Sequence, residues 1–407
     1  MHILAENISL LLYQSCDELK RKFLGLQDSR DVAQLLEISY KRLMYHISVV
    51  PEKDRYTVFS ISKKSGRLRE IAAPCTSLKI IQRKLSQVLY SVYEPKAPVH
   101  GFTPSKSIVT NAQQHRNKRF VLNIDLKDFF PSIHFGRVKG IFMKPPYNLT
   151  PEVAITLAKI CCYDGKLPQG SPASPIVSNM ICARMDSELR KLAKEYQCTY
   201  TRYADDITFS TTLLNFPSAL AFNETSDLEE DKLIVQEPYL ETEKCSVIDS
   251  STNISKIVLG ERLQSLIQSN GFEINYSKVR LQGKKQRQEV TGLTVNKIPN
   301  VKRIFVREIS SMLYLWHRYG LKSAEERYAV KRKSKTEQYE DHTPEYMKKY
   351  NKSMRSSLFK QVLRGKINFL GMVKGKDNQT YLTYLKWFCE LSKRDYESFQ
   401  KATDGTT

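Results

Sequence analysis

The sequence contains no Cys-x-x-Cys pair, which removes the commonest spacing for a structural zinc site. Its eight cysteines (Cys16, Cys75, Cys161, Cys162, Cys182, Cys198, Cys245 and Cys389) are scattered, several of them in apolar surroundings. Those in apolar surroundings read as reduced, buried thiols of a cytosolic protein, with vicinal Cys161-Cys162 in the core. No apolar run is long enough to span a bilayer. The first residues, Met1-His-Ile-Leu-Ala-Glu-Asn7, lack the basic and apolar segments of an export signal. The expectation is a soluble, cytoplasmic chain with no membrane partner.

Acid is also in short supply. Against 64 Lys and Arg stand 43 Asp and Glu, a formal charge of +21. Enzymes of small metabolites rarely need such a charge, whereas a nucleic-acid groove does. A generally basic, solvated surface is the plainer alternative. The acids that exist are concentrated: Leu213 to Ser250 holds nine of them and only Lys232 and Lys244 in opposition, a net of −7. The rest of the chain then carries +28, so a polyanion should avoid this segment and lie elsewhere.

At 407 residues and 41% apolar content, two or three subdomains are expected. Residues 1–50 read as helices, with Val32, Leu35, Leu36 and Leu43 on one face and Ser29 as a cap. Tyr56–Ile61 and Leu68–Ala72 flank a turn at Lys63-Lys-Ser-Gly66, the pattern of a hairpin. A helix should follow Pro74, with Leu78, Ile81, Leu85 and Leu89 in phase. Strands are expected at Arg119–Ile124, Tyr200–Tyr203, Ile207–Ser210, Phe272–Asn275 and Gln288–Val295, and helices at Ile176–Leu192 and Glu261–Ser269. Residues 213–255 have weak periodicity and read as an insertion. The last hundred residues are mainly helical, and Val301–Thr407 has a net charge of +11. Within them, Arg327 to Lys352 reads as a candidate mobile loop.

Two sites carry the chemistry. Asp125 follows the strand-like run Arg119–Ile124, and Ala204-Asp205-Asp206 forms a corner between the strand-like runs Tyr200–Tyr203 and Ile207–Ser210. In an extended strand Asp205 and Asp206 would point oppositely, but a hairpin corner lets both face one place. Three carboxylates brought together make an oxygen cage for Mg²⁺, which keeps several waters and needs few protein ligands. Two such ions about 3.5–4 Å apart are the usual device for moving a nucleotidyl group, so the pattern reads as a nucleic-acid polymerase. The competing explanation is a hydrogen-bonded Asp turn. Asp128 reads as a structural residue, a local cap or ion-pair partner.

Other residues admit two explanations each. Gln169-Gly170 sits in the turn-rich run Leu167–Pro175, either as a nucleotide contact that glycine lets approach closely or as an ordinary helix entry. Phe130 can wall off a sugar 2′-hydroxyl or be core like Phe129. Lys63 and Arg69 flank the hairpin turn and can neutralise a triphosphate or simply form a charged face.

The ordered set Phe59–Arg69, Asn123–Ile133, Leu167–Pro175, Tyr203–Asp206 and Gly271–Lys278 resembles reverse transcriptases. Asn111-Ala-Gln-Gln-His115 and Val290-Thr-Gly292 make the resemblance specifically one to the bacterial retron type, over roughly residues 25–400. The resemblance implies an α/β (α+β) right-hand polymerase. It would have an N-terminal helical region (1–50), fingers (51–118), a palm of mixed or antiparallel sheet plus helices (119–298) with the acidic insertion at about 213–255, and a basic helical thumb (299–407). It implies Asp125, Asp205 and Asp206 as ligands of two Mg²⁺ ions, with Mn²⁺ as a substitute, and Lys278 as an aid to the leaving pyrophosphate. Lys63, Arg69, Gln169 and Gly170 would contact the incoming dNTP, and Phe130 would gate the sugar.

Such proteins use a structured non-coding RNA as template and primer source. Synthesis starts on an internal guanosine 2′-hydroxyl and leaves a branched RNA–DNA product. They generally serve anti-phage defence with an effector protein encoded nearby. The acidic segment is longer than the family's usual connection, and is either a binding surface for an effector or a solvated insertion. No fused nuclease, maturase or ribonuclease H region is expected. The alternatives are a defence reverse transcriptase outside the retrons and a catalytically idle RNA-binding scaffold.

Overall fold

The computed structural model describes residues 11–62, 66, 68–224, 256–336 and 355–404. The chain opens with short helices α1 (Cys16–Leu24), α2 (Ser29–Leu35), α3 (Tyr40–Met44) and α4 (Glu52–Arg55). Val32, Leu35, Leu36 and Leu43 are all buried, but over two helices rather than one. Glu37, at φ 50°, breaks the chain between them. The cap of α2 is Asp28, not Ser29. Asp28 Oδ1 accepts from the amides of Arg30 and Asp31 at 2.8 and 2.9 Å. The Ser29 hydroxyl instead donates to Glu152 at 2.7 Å.

β1 (Tyr56–Ser62) and β2 (Leu68–Pro74) form the expected hairpin, in register from Tyr56–Pro74 to Ser62–Leu68. α5 (Thr76–Val92) follows and buries Leu78, Ile81, Leu85 and Leu89. The hairpin is a two-stranded sheet with a small core of Tyr56, Ala72 and Leu78.

The central sheet is built around β3 (Phe120–Lys127), which follows α6 (Ile108–Gln114). Helices α7 (Phe135–Met143), α8 (Pro151–Cys161) and α9 (Ser174–Glu195) come next, then β4 (Thr199–Tyr203) and β5 (Asp206–Thr211). β6 (Ala221–Glu224) and β7 (Lys256–Leu259) pair with each other, so a strand lies inside the first part of the expected insertion. The acidic segment beyond Glu224 lies outside the described residues. α10 (Glu261–Ser269), β8 (Glu273–Ile274), β9 (Arg280–Gly283) and a small hairpin of β10 (Glu289–Val290) and β11 (Leu293–Thr294) complete this part.

The sheet order is β4-β5-β3-β8, and β9 also pairs with β3, every pairing antiparallel. Strand alternation divides β3 between two cores. Leu122, Ile124 and Leu126 join the large core formed with α5, α7, α8 and α9, whereas Val121 joins a second core with Ala112, Val290 and the C-terminal helices. Burying each such aliphatic side chain contributes roughly 1.5–3 kcal/mol, so the strands are anchored independently of any charged group on them.

The C-terminal helices are α11 (Arg303–Thr336), bent at Gly320, α12 (Arg355–Lys374) and α13 (Gln379–Asp404). Trp316, Phe359 and Phe388 meet edge-on at their centre. The stretch from Arg327 to Thr336 is helical, extending α11 rather than forming a loop; residues 337–352 lie outside the described residues. None of the described helices is long and apolar enough to cross a membrane. The seven described cysteines are free, and burial pushes the Cys162 and Cys182 thiols up to about 12.

Candidate active site

The antiparallel register sets Asp125 of β3 directly opposite Asp206 of β5. Opposed residues project to one face, so this pair shares the face that bears Val121 and Asn123. Tyr203 pairs with Asp206 across a two-residue connection, Ala204-Asp205, which carries the third carboxylate. Ala204 adopts a left-handed conformation at φ 55°, at a cost of roughly 1–2 kcal/mol for a residue with a Cβ. The corner is tied to β3 by the Leu126 amide, which donates to the Asp205 carbonyl at 3.0 Å.

Like charges directly opposite on neighbouring strands destabilise a sheet unless a cation intervenes. The electrostatics reflect this. Desolvation and then the Asp125 charge raise the Asp205 carboxyl, with Lys278 and Arg69 in partial opposition. Desolvation, Asp205 and Asp125 together raise Asp206, and Lys278 and Arg280 oppose them. Lys278 answers part of the demand directly: its Nζ donates to both Asp125 oxygens, at 2.9 and 2.8 Å. Asn275 Nδ2 donates to Asp125 Oδ1 at 3.0 Å, and its amide to the Asp125 carbonyl at 2.8 Å.

The donor set fits a hard divalent cation. It is all oxygen and carries excess negative charge, with Asp125 buried, Asp205 half-buried and Asp206 exposed. Among the described residues no three His, Cys, Asp or Glu side chains close around a point. Such a site suits Mg²⁺, which takes one or two carboxylates and completes its shell from water and substrate phosphates.

The remaining sequence candidates fall in different places. Lys63 lies outside the described residues. Arg69 is exposed on β2, opposite Ile61, and its charge reaches Asp205. Gln169 and Gly170 touch the same strand: the Ala72 amide donates to the Gln169 carbonyl at 2.9 Å. Gly170 has φ 135°, and a Cβ there would sit 2.6 Å from the Ala72 carbonyl oxygen. The glycine is therefore required by packing against β2, whatever else it meets. Phe130 is half-buried, against Phe102 at 5.9 Å and Phe129 at 5.3 Å, whereas Phe129 is core and stacks on Phe272. Asp128 is exposed in the turn after β3, at φ 43°, where its carbonyl accepts from the Ser132 amide at 2.9 Å.

The runs Asn111–His115 and Val290–Gly292 are brought together. Thr291 Oγ1 donates to the Ile108 carbonyl at 3.2 Å, and Val290 and Ala112 share one core. His115 is fully buried, with its ring nitrogens 2.7 Å from Ser210 Oγ and 2.7 Å from Thr201 Oγ1. Burial, then the charges of Lys118 and His100, hold its imidazole down at about 3.

Sequence reasoning missed Asn275, although it stands inside a run already singled out. It also missed Arg202, a fully buried arginine next to the corner. An arginine inside the strand-like run Tyr200–Tyr203, two residues before Ala204, is the signal that would have found it.

A family model described as reverse transcriptase (RNA-dependent DNA polymerase) matches residues 61–295. The chain is 32% identical to the retron Mx65 reverse transcriptase of Myxococcus xanthus, over 70% of this chain and 62% of that protein. It is 32% identical to the retron Mx162 reverse transcriptase of the same organism, over 67% of this chain and 54% of that protein. To the retron Ec86 reverse transcriptase of Escherichia coli it is 29% identical, over 67% and 72% respectively. The match thus spans little more than half to three-fifths of the length of the Myxococcus relatives.

Proposed function

Since the chain belongs to the reverse transcriptase family, we propose that it is an RNA-directed DNA polymerase of the retron type. The observation that carries this reading is the register: Asp125 and Asp206 face each other across adjacent strands, and Asp205 occupies the turn between β4 and β5. Residues 119–298 act as the palm, 51–118 as the fingers and 299–407 as the thumb. Asp125, Asp205 and Asp206 hold Mg²⁺, or Mn²⁺ in its place. Ions held there would supply activation of the attacking oxygen and neutralisation of charge on the leaving pyrophosphate.

The protein's own groups do the rest. Lys278 brings an ammonium to Asp125 and assists the leaving pyrophosphate. Arg69, with Lys63 and Gln169, neutralises and orients the triphosphate of the dNTP. Phe130 closes off the sugar 2′ position. The basic C-terminal helices grip the template–primer backbone through phosphate contacts, which makes binding fall steeply with salt.

The template and primer source is a structured non-coding RNA, the product is RNA joined to DNA, and the protein works in the cytoplasm with an effector in anti-phage defence. The similarity to three retron reverse transcriptases supports the retron type and, through it, a non-coding RNA as template. The test is dNTP incorporation on a primed RNA with Mg²⁺, wild type against Asp205→Asn/Asp206→Asn. Loss of synthesis in a folded double variant is expected; near-normal incorporation would sink the metal assignment. Sequencing the nucleic acid that co-purifies separates the retron reading, a fixed short cDNA joined to RNA, from a defence enzyme of another kind.

A further inference from the structure

We infer that the buried Arg202–Asp186 pair is a positioning device for the carboxylate corner, acting through the backbone of Ala204; this rests on the polymerase reading above. Both side chains are completely buried. The guanidinium grips Asp186 with two parallel bonds, Nε to Oδ1 and Nη2 to Oδ2, each 2.7 Å. Its Nη1 donates to the Ala204 carbonyl at 3.0 Å, and Nη2 donates also to Asn179 Oδ1 at 3.1 Å. Four of the five N–H directions of the fork are thereby used, which a lysine ammonium cannot reproduce.

The network encloses the corner from a second side. Asn179 Nδ2 donates to the Gly101 carbonyl at 3.0 Å. Gly101 lies so close to the corner that a Cβ on it would collide with the Ala204 amide nitrogen. The segment before it runs alongside β4: Arg202 donates its amide to the Pro98 carbonyl at 3.0 Å, and the His100 amide donates to the Arg202 carbonyl at 2.8 Å. Ala204 is thus held by its carbonyl from Arg202 and packed at its amide by Gly101, in a left-handed conformation that a non-glycine residue keeps only when its surroundings over-determine it. Asp205 and Asp206 follow directly in the chain.

Stability alone is a poor reason for this arrangement. Desolvating an ion pair offsets most of its attraction, and apolar residues of the same volume often serve a core as well. Direction is what the pair supplies. The fork converts the fixed position of Asp186 on α9 into a fixed position for the Ala204 carbonyl.

The experiment compares Arg202→Lys with Tyr200→Phe. The Tyr200 hydroxyl donates to Asp186 Oδ1 at 2.7 Å, so its loss weakens the same cluster without touching Ala204. Each variant is measured for melting temperature, for kcat and dNTP KM on primed RNA, and for Mn²⁺ affinity by electron paramagnetic resonance. Arg202→Lys should lower kcat at least tenfold and weaken Mn²⁺ binding at least fivefold, with dNTP KM within threefold of wild type. Tyr200→Phe should stay within twofold in all three, although it melts earlier. Losses that follow melting temperature alike in both variants overturn the inference, as does unchanged kcat and Mn²⁺ affinity in Arg202→Lys.

If Arg202→Lys does not fold, Asn179→Ala cuts the link between Arg202 and Gly101. It should show the same pattern at smaller size, and wild-type kcat and Mn²⁺ affinity in it refute the positioning role. The Mn²⁺ titration needs no polymerase activity, so a wild type that fails to copy RNA overturns the earlier reading and not this one.

Discussion

Replacing Gly170 with alanine should detach the β1–β2 hairpin from the loop that precedes α9. At φ 135° an alanine sits in a region that side chains avoid, at a cost of about 1–3 kcal/mol. Its Cβ would lie 2.6 Å from the Ala72 carbonyl oxygen, a backbone atom that can yield only by moving β2. That movement strains the bond from the Ala72 amide to the Gln169 carbonyl, worth about 1 kcal/mol more. The hairpin has only a small core of its own, so the cost, about 2–4 kcal/mol, should appear as local opening rather than global unfolding. Hydrogen exchange followed by mass spectrometry reads this directly: the Ala72 amide should exchange roughly 30- to 900-fold faster, at 1.36 kcal/mol per decade. The dNTP KM should rise in step, because Arg69 travels with the strand. Exchange at Ala72 within threefold of wild type would refute the packing argument. A raised KM with unchanged exchange would return Gly170 to direct nucleotide contact.

Phe130→Ala should raise the ratio of rNTP to dNTP incorporation; an unchanged ratio in a folded variant would make Phe130 a packing residue against Phe102 and Phe129. Stability should fall with acid. The His115 imidazole is held down at about 3 and that of His100 at about 4, so the stability from keeping them neutral is present above the unfolded value near 6.5. It is lost as pH falls from there, by up to about 1.4 kcal/mol per pH unit for each, and urea midpoints of wild type and His115→Gln between pH 7.5 and 5 should show a shallower acid limb in the variant. Replacing residues 225–255 by a short Gly/Ser linker should leave cDNA synthesis largely intact while effector co-purification or phage protection falls; loss of synthesis in a folded protein would show that the segment supports the active site.

Elements whose pattern is local were legible. The 56–74 hairpin announces itself by a turn between β-rich runs, and α5 and α10 by apolar residues at helical spacing. β9 escaped because Arg280-Leu-Gln-Gly283 has no pattern of its own; only pairing with Phe120–Asn123 makes it a strand. Asp28 and Ser29 are both good caps by type, and Glu152, far along the chain, decides between them by taking the Ser29 hydroxyl.

The candidate site divides in the same way. Asp125, Asp205 and Asp206 stand at strand ends that sequence alone reveals. The grip of Lys278 and Asn275 on Asp125 joins residues 150 or more apart, and that of Arg202 on Asp186 crosses from strand to helix. No spacing rule encodes either. Weak periodicity makes 213–255 read as an insertion from its first residue, yet Leu220 and Ala221 are buried and β6 begins there.

That last hairpin, β6–β7, closes the stem of the segment between its strands. Glu224 and Lys256 are paired, the Gly260 amide donates to the Leu220 carbonyl at 2.9 Å, and Gly260 is so close to Ala219 that no side chain fits between them. The described chain leaves at Glu224 and re-enters at Lys256, two positions paired across one stem. Doubling the length of a flexible loop across such a closed stem costs only about 0.6 kcal/mol. A linker of another length is therefore compatible with this stem, and a fluorescent or affinity module grafted between Glu224 and Lys256 should leave dNTP incorporation close to that of the ungrafted protein.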